Sequence, residues 1–349
     1  MDKKNHTEPA QTGFDAVSGA ARALYPGQEG VYYGTLIPYT LGGGDPLDGV
    51  EIWKSERGVP HWHYITYGFT ELYEKESGDP DESGYGFELT FRLKRGMEEA
   101  PPVWPVSLLQ NLARYVFSSG NTFGLGHHIN CNGPIALETD TQLTALGFCM
   151  DPELGELDTP NGHFTFLQAA AITEDEMNAM MCWNGEKFLA LMARFLPMCA
   201  ADLDRDSLLK KPAFYSAWRD GMERDGSSTA FLYMDELDLE WADGRGTLRI
   251  GAGHAETLAR MLKARVGKER TLFLQGQETA VQIRPGSKPA LVCAEQLPEL
   301  TLTSKALEEL CRLLAPHAGT YSMKAMPLTV ELVPTRIMDR DGTVIDVIE

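Results

Sequence analysis

Residues 61–95 read HWHYITYGFTELYEKESGDPDESGYGFELTFRLKR. Within them Phe87, Leu89, Phe91 and Leu93 alternate with Glu88, Thr90, Arg92 and Lys94. A period of two puts apolar groups on one face of an extended segment and charged groups on the other, which predicts a half-buried β-strand. Upstream, His61, His63, Ile65 and Tyr67 share one side of a second alternating run, and Trp62, Tyr64 and Thr66 share the other. Between the runs, residues 74–83 are acidic and broken by turn-formers, Gly78 and Pro80, with Gly84 just after. The stretch predicts two strands joined by a mobile acidic loop, and that loop is the candidate working surface.

The rest of the chain sets bounds on what such a surface can do. At 349 residues the sequence exceeds what one core usually holds, and 43% hydrophobic with 23% charged residues is a folded composition with room for two domains. Net charge is −19, and residues 1–200 carry most of it, with 12 Lys plus Arg against 27 Asp plus Glu. Such a surface repels phosphate backbones, so nucleic-acid binding is not expected, while a basic protein partner would be attracted. The six cysteines, at 131, 149, 182, 199, 293 and 311, form no CxxC pair, which fits reduced thiols in a cytoplasm. The polar opening MDKKNHTEPAQTG reads as neither an export signal nor a membrane span.

Taken in order, residues 1–24 read as a tail with a short helix over 16–24, and 50–53 as a strand. A helix over 106–118 buries Leu108, Leu109, Leu112, Val116 and Phe117 and ends at Gly120. A turn at 159–162 precedes a strand over 163–169. Thr173 and Glu176 have the spacing of a capping box opening a helix, and 186–196 continues as another, stopped by Pro197. The apolar pattern weakens over 201–228, which reads as a junction between a first domain at 25–200 and a second at 229–336, with a tail over 337–349. In the second domain Leu237, Leu239 and Trp241 form one arm of a hairpin turning through 243–246 and resuming at 247–250. A helix over 254–266, strands over 271–274 and 280–283, a helix over 307–314 and a final strand over 328–333 follow. No βαβ period appears, so the fold class is α+β: two mixed α/β domains, each a mainly antiparallel sheet with packed helices.

Motifs for chemistry are sparse. Gly42, Gly43 and Gly44 lack the rest of a phosphate loop, no GxSxG occurs, and no cofactor is expected. His61 and His63 project to one side of a strand and could share a metal, with Cys131 or His163 as distant further ligands of a metal-dependent hydrolase. The competing reading places both imidazoles, hydrogen-bonded, in a Trp- and Tyr-rich core. Cys131 near His127 and His128 does not by itself make a nucleophile and base. The loop acids Glu74, Glu76, Asp79, Asp81 and Glu82 read as a solvated charge run, since acid–base work needs rigid placement. No catalytic residue and no metal ligand is assigned.

HWHYITYGFTELY followed by GYGFELTFRLKR resembles the Suppressor of Fused family, and the likeness continues through Pro101, Pro102, Trp104 and Pro105, through 110–117, and through Trp183, Asn184 and Gly185. It covers roughly 25–200 closely and 230–335 more loosely. The resemblance implies a two-domain, non-enzymatic protein-binding module. Members hold an extended peptide in the cleft between the domains by β-augmentation, with acidic loop groups facing the peptide. By position, Tyr73 and either Asp79 or Asp81 match those groups, and the strand bearing Leu237, Leu239 and Trp241 matches the second-domain wall. The compact form, without the long insertion of animal members, is similar to bacterial members that resemble immunity proteins for toxins. A basic toxin is the partner that this resemblance implies.

Overall fold

The structure is a computed structural model that describes residues 12–37, 39–137, 139–242, 244–292, 297–338 and 344–348. Residues 1–11 of the expected N-terminal tail, Asp243 of the hairpin turn, Cys293, and residues 339–343 and 349 of the expected C-terminal tail lie outside the described residues. Contacts divide the chain into two compact units, Met1–Met177 with Gly185–Tyr215, and Asn178–Asn184 with Ser216–Glu349.

The first unit contains α1 (Thr12–Leu24), β1 (Val31–Gly34), β2 (Gly49–Ser55), β3 (His61–Tyr67), β4 (Glu82–Lys94), α2 (Trp104–Ser119), β5 (His128–Asn130), β6 (Leu143–Met150), β7 (Glu156–Thr159) and β8 (Gly162–Thr173). Helix α3 (Glu174–Met181) begins in it, α4 (Gly185–Ala193) lies within it, and α5 (Pro212–Asp225) starts in it. Its strands form one sheet in the order β1-β2-β3-β4-β8-β6-β5, with β7 beside β8. Every pairing is antiparallel except β4 with β8. Helix α2 covers one face by burying Leu109, Leu112, Ala113 and Val116 against Tyr64, Phe87, Leu89 and Phe91. It stops at Gly120, whose φ of 72° lets its N–H reach the Val116 carbonyl at 2.8 Å. Helix α1 covers the other face through Val17 and Ala21, packed with Trp53, Ile65, Tyr67, Phe164 and Phe166.

Because both faces are covered, one expectation is corrected. Strand β4 is not half-buried: Glu88, Thr90 and Arg92, expected on a solvated face, are fully buried. The polar side of the alternation faces α1's layer, where it survives through hydrogen bonding and ion pairing within the core.

The second unit adds β9 (Phe231–Tyr233), β10 (Leu237–Ala242), β11 (Arg245–Gly251), α6 (Ala252–Arg265), β12 (Leu272–Gln275), β13 (Ala280–Pro285), β14 (Ala290–Val292), β15 (Glu299–Leu302), α7 (Ser304–Leu313), β16 (Gly319–Ser322), β17 (Leu328–Val333), β18 (Thr335–Met338) and β19 (Val344–Ile348). They make a four-stranded sheet, β10-β11-β17-β16, a five-stranded sheet, β14-β15-β13-β12-β9, and the β18–β19 pair. Leu258, Met261 and Leu262 of α6 and Leu310 of α7 are buried, as are Leu248, Ile250, Val281, Ile283 and Val330 on the strands. The strand over 328–333 is not the last, because β18 and β19 follow it. Helix α5, absent from the sequence expectations, buries Phe214 and Trp218 one turn apart.

Candidate functional site: an acidic loop fixed by its own glutamate

The acidic loop joins β3 to β4, which pair antiparallel from His61 opposite Lys94 to Ile65 opposite Thr90. It is stitched together, not left free. The Glu71 carboxylate accepts from the backbone N–H of Glu76 at 2.6 Å, of Ser77 at 2.5 Å and of Gly84 at 3.3 Å, and pairs with Lys75 Nζ at 2.8 Å. Burial opposes its charge, but Lys75 and these amides hold Glu71 down at about 2. Lys75 also donates to the Glu82 carbonyl. Behind the loop, the Asn161 side chain donates to the Glu71 carbonyl at 2.7 Å, and the His163 N–H reaches the Asp81 carbonyl at 2.8 Å. Gly162 allows this approach: its φ is 110°, and a Cβ there would sit 2.7 Å from the Glu82 carbonyl carbon.

On this frame Asp79 and Asp81 are exposed, with Asp79 Oδ1 accepting from the Asp81 N–H at 2.9 Å. Tyr73 is 40% exposed, and its phenol donates to Asp48 Oδ1 at 2.8 Å. Tyr32 donates to the other oxygen, Oδ2, at 2.6 Å. Burial, then the bond to Asp48, pushes the Tyr73 phenol up to about 12. Tyr73, Asp79 and Asp81 thus belong to one ordered loop in the first unit. Asp48, Glu71 and Asn161 hold it and were not singled out from sequence. A lone Asp or Glu in a charged stretch carries no mark of the backbone amides it will collect; the Thr-Pro-Asn-Gly turn at 159–162 was the available signal for Asn161.

In the second unit, Leu237, Leu239 and Trp241 lie on β10, the edge of its sheet, opposite Ile250, Leu248 and Gly246 of β11. Burial falls along the strand: Leu237 is 9% exposed, Leu239 intermediate and Trp241 38% exposed. A pocket of about 310 Å³ opens beside Leu237, lined by Asp235, Glu236, Asp238, Arg249 and Glu278 among others.

The two strand histidines are core groups. Tyr25 donates to His63 Nδ1 at 2.8 Å, and His63 Nε2 lies 3.2 Å from Asp151 Oδ2. Burial, with Arg92 nearby, lowers His63 to about 4, so it is neutral at ordinary pH. Arg92 clasps Asp151 with both guanidinium nitrogens and also donates to Gln168 Oε1 at 2.7 Å and Glu153 Oε2 at 3.1 Å. Burial opposes the Asp151 charge, but Arg92 and His63 hold that carboxyl well below the usual range. His61 Nδ1 donates to the Val59 carbonyl at 2.6 Å. The further ligands considered for a metal are elsewhere: Cys131 packs against the core on α2's side, and His163 Nδ1 is 2.8 Å from Asp158. Among the described residues no group of three or more His, Cys, Asp or Glu is placed to hold a metal ion. None of the helices among the described residues is long and apolar enough to cross a membrane.

Comparison with known proteins places this architecture. The family described as Suppressor of fused protein (SUFU) matches residues 43–206, which include the acidic loop and the Arg92–Asp151 core. The human Suppressor of fused homolog is 37% identical over 235 residues, 62% of this chain and 48% of the human protein, and the mouse homolog matches equally. The chain thus spans about half the length of the curated relatives it matches. Drosophila Suppressor of Fused shares the fold over 93% of this chain and 97% of its own, with a TM-score of 0.74 at 22% identity. A chain in the crystal structure of the Sufu–Fu complex matches at 30% identity and a TM-score of 0.56, over 62% of this chain and 98% of its own. The fold is that of two α+β domains, and the chain belongs to the Suppressor of fused family.

Proposed function

We propose that this chain is a non-enzymatic module that binds a protein partner through an extended segment, with the loop bearing Tyr73, Asp79 and Asp81 as one part of the binding surface. The observation that carries the reading is the loop's construction. Two exposed aspartates and a half-exposed tyrosine stand on a frame fixed by Glu71 and Asn161, so little ordering entropy remains to be lost when a partner docks. A relative forms the Sufu–Fu complex, which supports protein binding as the general role. Strand β10, at a sheet edge and bearing Trp241 38% exposed, supplies the proposed second surface, where a segment could add by β-augmentation. In this proposal both surfaces contact the same partner polypeptide.

The net charge of −19 favours a basic partner and speeds its encounter at low salt. A basic bacterial toxin, neutralised in the cytoplasm, is the specific case we propose. Photo-crosslinking tests the placement: a photoreactive residue at Asp79 or Trp241, introduced in the native cell, should link to one polypeptide at neighbouring positions of a single segment. Crosslinking no stronger than from exposed Arg260 on α6 would reject both surfaces.

A further inference from the structure

Strand β1 ends the large sheet of the first unit, and among the described residues it pairs with β2 alone, from Val31 opposite Ile52 to Gly34 opposite Gly49. The Thr35 N–H continues that ladder to the Asp48 carbonyl at 2.8 Å. In an antiparallel pair alternate residues bond the neighbour, so Val31, Tyr33 and Thr35 face β2, and the backbone N–H and C=O groups of Tyr32 and Gly34 point out of the sheet. Both residues are exposed. Proteins commonly blunt such an edge with charge, proline or a covering element. Here the chain runs on into Leu36 and Ile37, 99% and 57% exposed.

The two faces of β1 differ. Tyr33 packs against the core on α2's side, and between it and α2 lies a pocket of about 480 Å³ bordered by Leu36, Ile37 and Val106. Gln110, which also lines it, is engaged: its side-chain carbonyl accepts from the Leu47 N–H at 3.3 Å, and its amide donates to Thr35 Oγ1 at 3.3 Å. With that carboxamide occupied, the pocket favours an apolar side chain. The opposite face carries Tyr32, which packs on Tyr67 and donates to Asp48 Oδ2 at 2.6 Å, and exposed Glu29 stands just before the strand. Arg114, a cation at the pocket, is taken up by Asp45, Asn111 and the Gly44 carbonyl.

We propose that an extended, basic segment of a partner polypeptide adds to the outer edge of β1, bonding the main chain of Tyr32 and Gly34 and seating one large apolar side chain in the pocket between β1 and α2. Every second side chain of such a segment falls on the pocket face, and the residues between them fall on the side of Asp48. Charge selects the occupant. Residues 1–200 hold 12 Lys plus Arg against 27 Asp plus Glu, so lysine or arginine at the intervening positions is attracted. A second copy of this chain would bring the same −19 to the edge and be repelled. The surface is separate from the loop of Asp79 and Asp81 and from β10, and it stands whether or not those bind.

The probe is the peptide acetyl-Lys-Val-Lys-Phe-Lys-Val-Lys-amide, which when extended puts its apolar residues on one face and its lysines on the other. Titrated into the isotope-labelled full-length chain, it should shift the Tyr32, Gly34 and Leu36 amide signals in NMR spectra and slow hydrogen exchange at Tyr32 and Gly34. Ser107→Trp, at an exposed α2 position lining the pocket, and Leu36→Lys, at its rim, should each weaken binding roughly tenfold with melting temperatures unchanged. Glutamate in place of the peptide's lysines should abolish binding, and the Asp79→Ala, Asp81→Ala double variant should show the same shifted amides as wild type. Equal affinity in wild type and both pocket variants, shifts confined to residues 74–83, or equal binding of the glutamate peptide would overturn the proposal. So would light scattering that shows the chain alone dimerising with its Tyr32 and Gly34 amides protected.

Discussion

The phenol of Tyr73 donates to Asp48 Oδ1 across 2.8 Å, joining the acidic loop to the residue that precedes β2. Asp48→Ala removes this acceptor and the matching one for Tyr32. The Tyr73 phenol, held near 12, should then fall by roughly one unit as the carboxylate's contribution disappears. Specific carbon labelling of tyrosine and an NMR pH titration read this directly. An unmoved Tyr73 would mean that burial alone sets its ionisation.

Glu71 is the loop's anchor, so Glu71→Ala should release residues 74–82 without unfolding the sheet. Amide exchange at Glu76, Ser77 and Gly84, which now donate to its carboxylate, should quicken, while exchange in β3 and β4 stays slow. Because Glu71 titrates near 2, acidification to pH 4 should leave the wild-type loop ordered.

Burial raises Glu88 from 4.5 to about 7, against donation from Thr66, Gly68 and Thr70. A carboxyl raised in the folded state binds its proton more tightly there, so its share of stability is present below about pH 4.5 and is lost as pH rises to 7. The loss is about 3 kcal/mol. His63 runs the other way: lowered from 6.5 to about 4, it makes the fold lose stability as pH falls from 6.5 to 4. The two slopes oppose each other over the shared window. Urea unfolding of wild type and Glu88→Gln across pH 4 to 8 should show the wild type losing ground as pH rises to 7, and a constant difference would contradict this.

Arg92→Met should cost about 3–5 kcal/mol, because it strands Asp151 as a buried charge. Loss of less than about 1 kcal/mol in denaturant melts would show the pair to be dispensable.

How much of this was legible differs from residue to residue. The strand 61–67, the helix ending at Gly120, the Thr173–Glu176 capping box and the 237–250 hairpin follow from local patterns, and the structure contains each. Arg92 misled because a guanidinium reads as solvent-facing, and its partner Asp151 arrives from a distant segment. Glu176 is similar: the capping box was visible, yet its carboxylate also meets Arg205 at 2.6 Å, far along the chain. Helix α5 was missed because Arg219, Asp220, Glu223, Arg224 and Asp225 dilute the Phe214 and Trp218 signal. In the site, Tyr73, Asp79 and Asp81 came from resemblance, whereas Asp48 and Glu71 depend on contacts that exist once the loop has closed.

The central claim is that a partner polypeptide is bound by the loop of Tyr73, Asp79 and Asp81, with Trp241 on the second surface. The most direct measurement is the calorimetric Kd of the crosslinked partner, purified, for wild type, for the combined variant Tyr73→Ala, Asp79→Ala, Asp81→Ala, and for Trp241→Ala. Affinity should fall at least tenfold in the loop variant and less in Trp241→Ala, with melting temperatures unchanged. Equal affinity across all three chains would contradict the account.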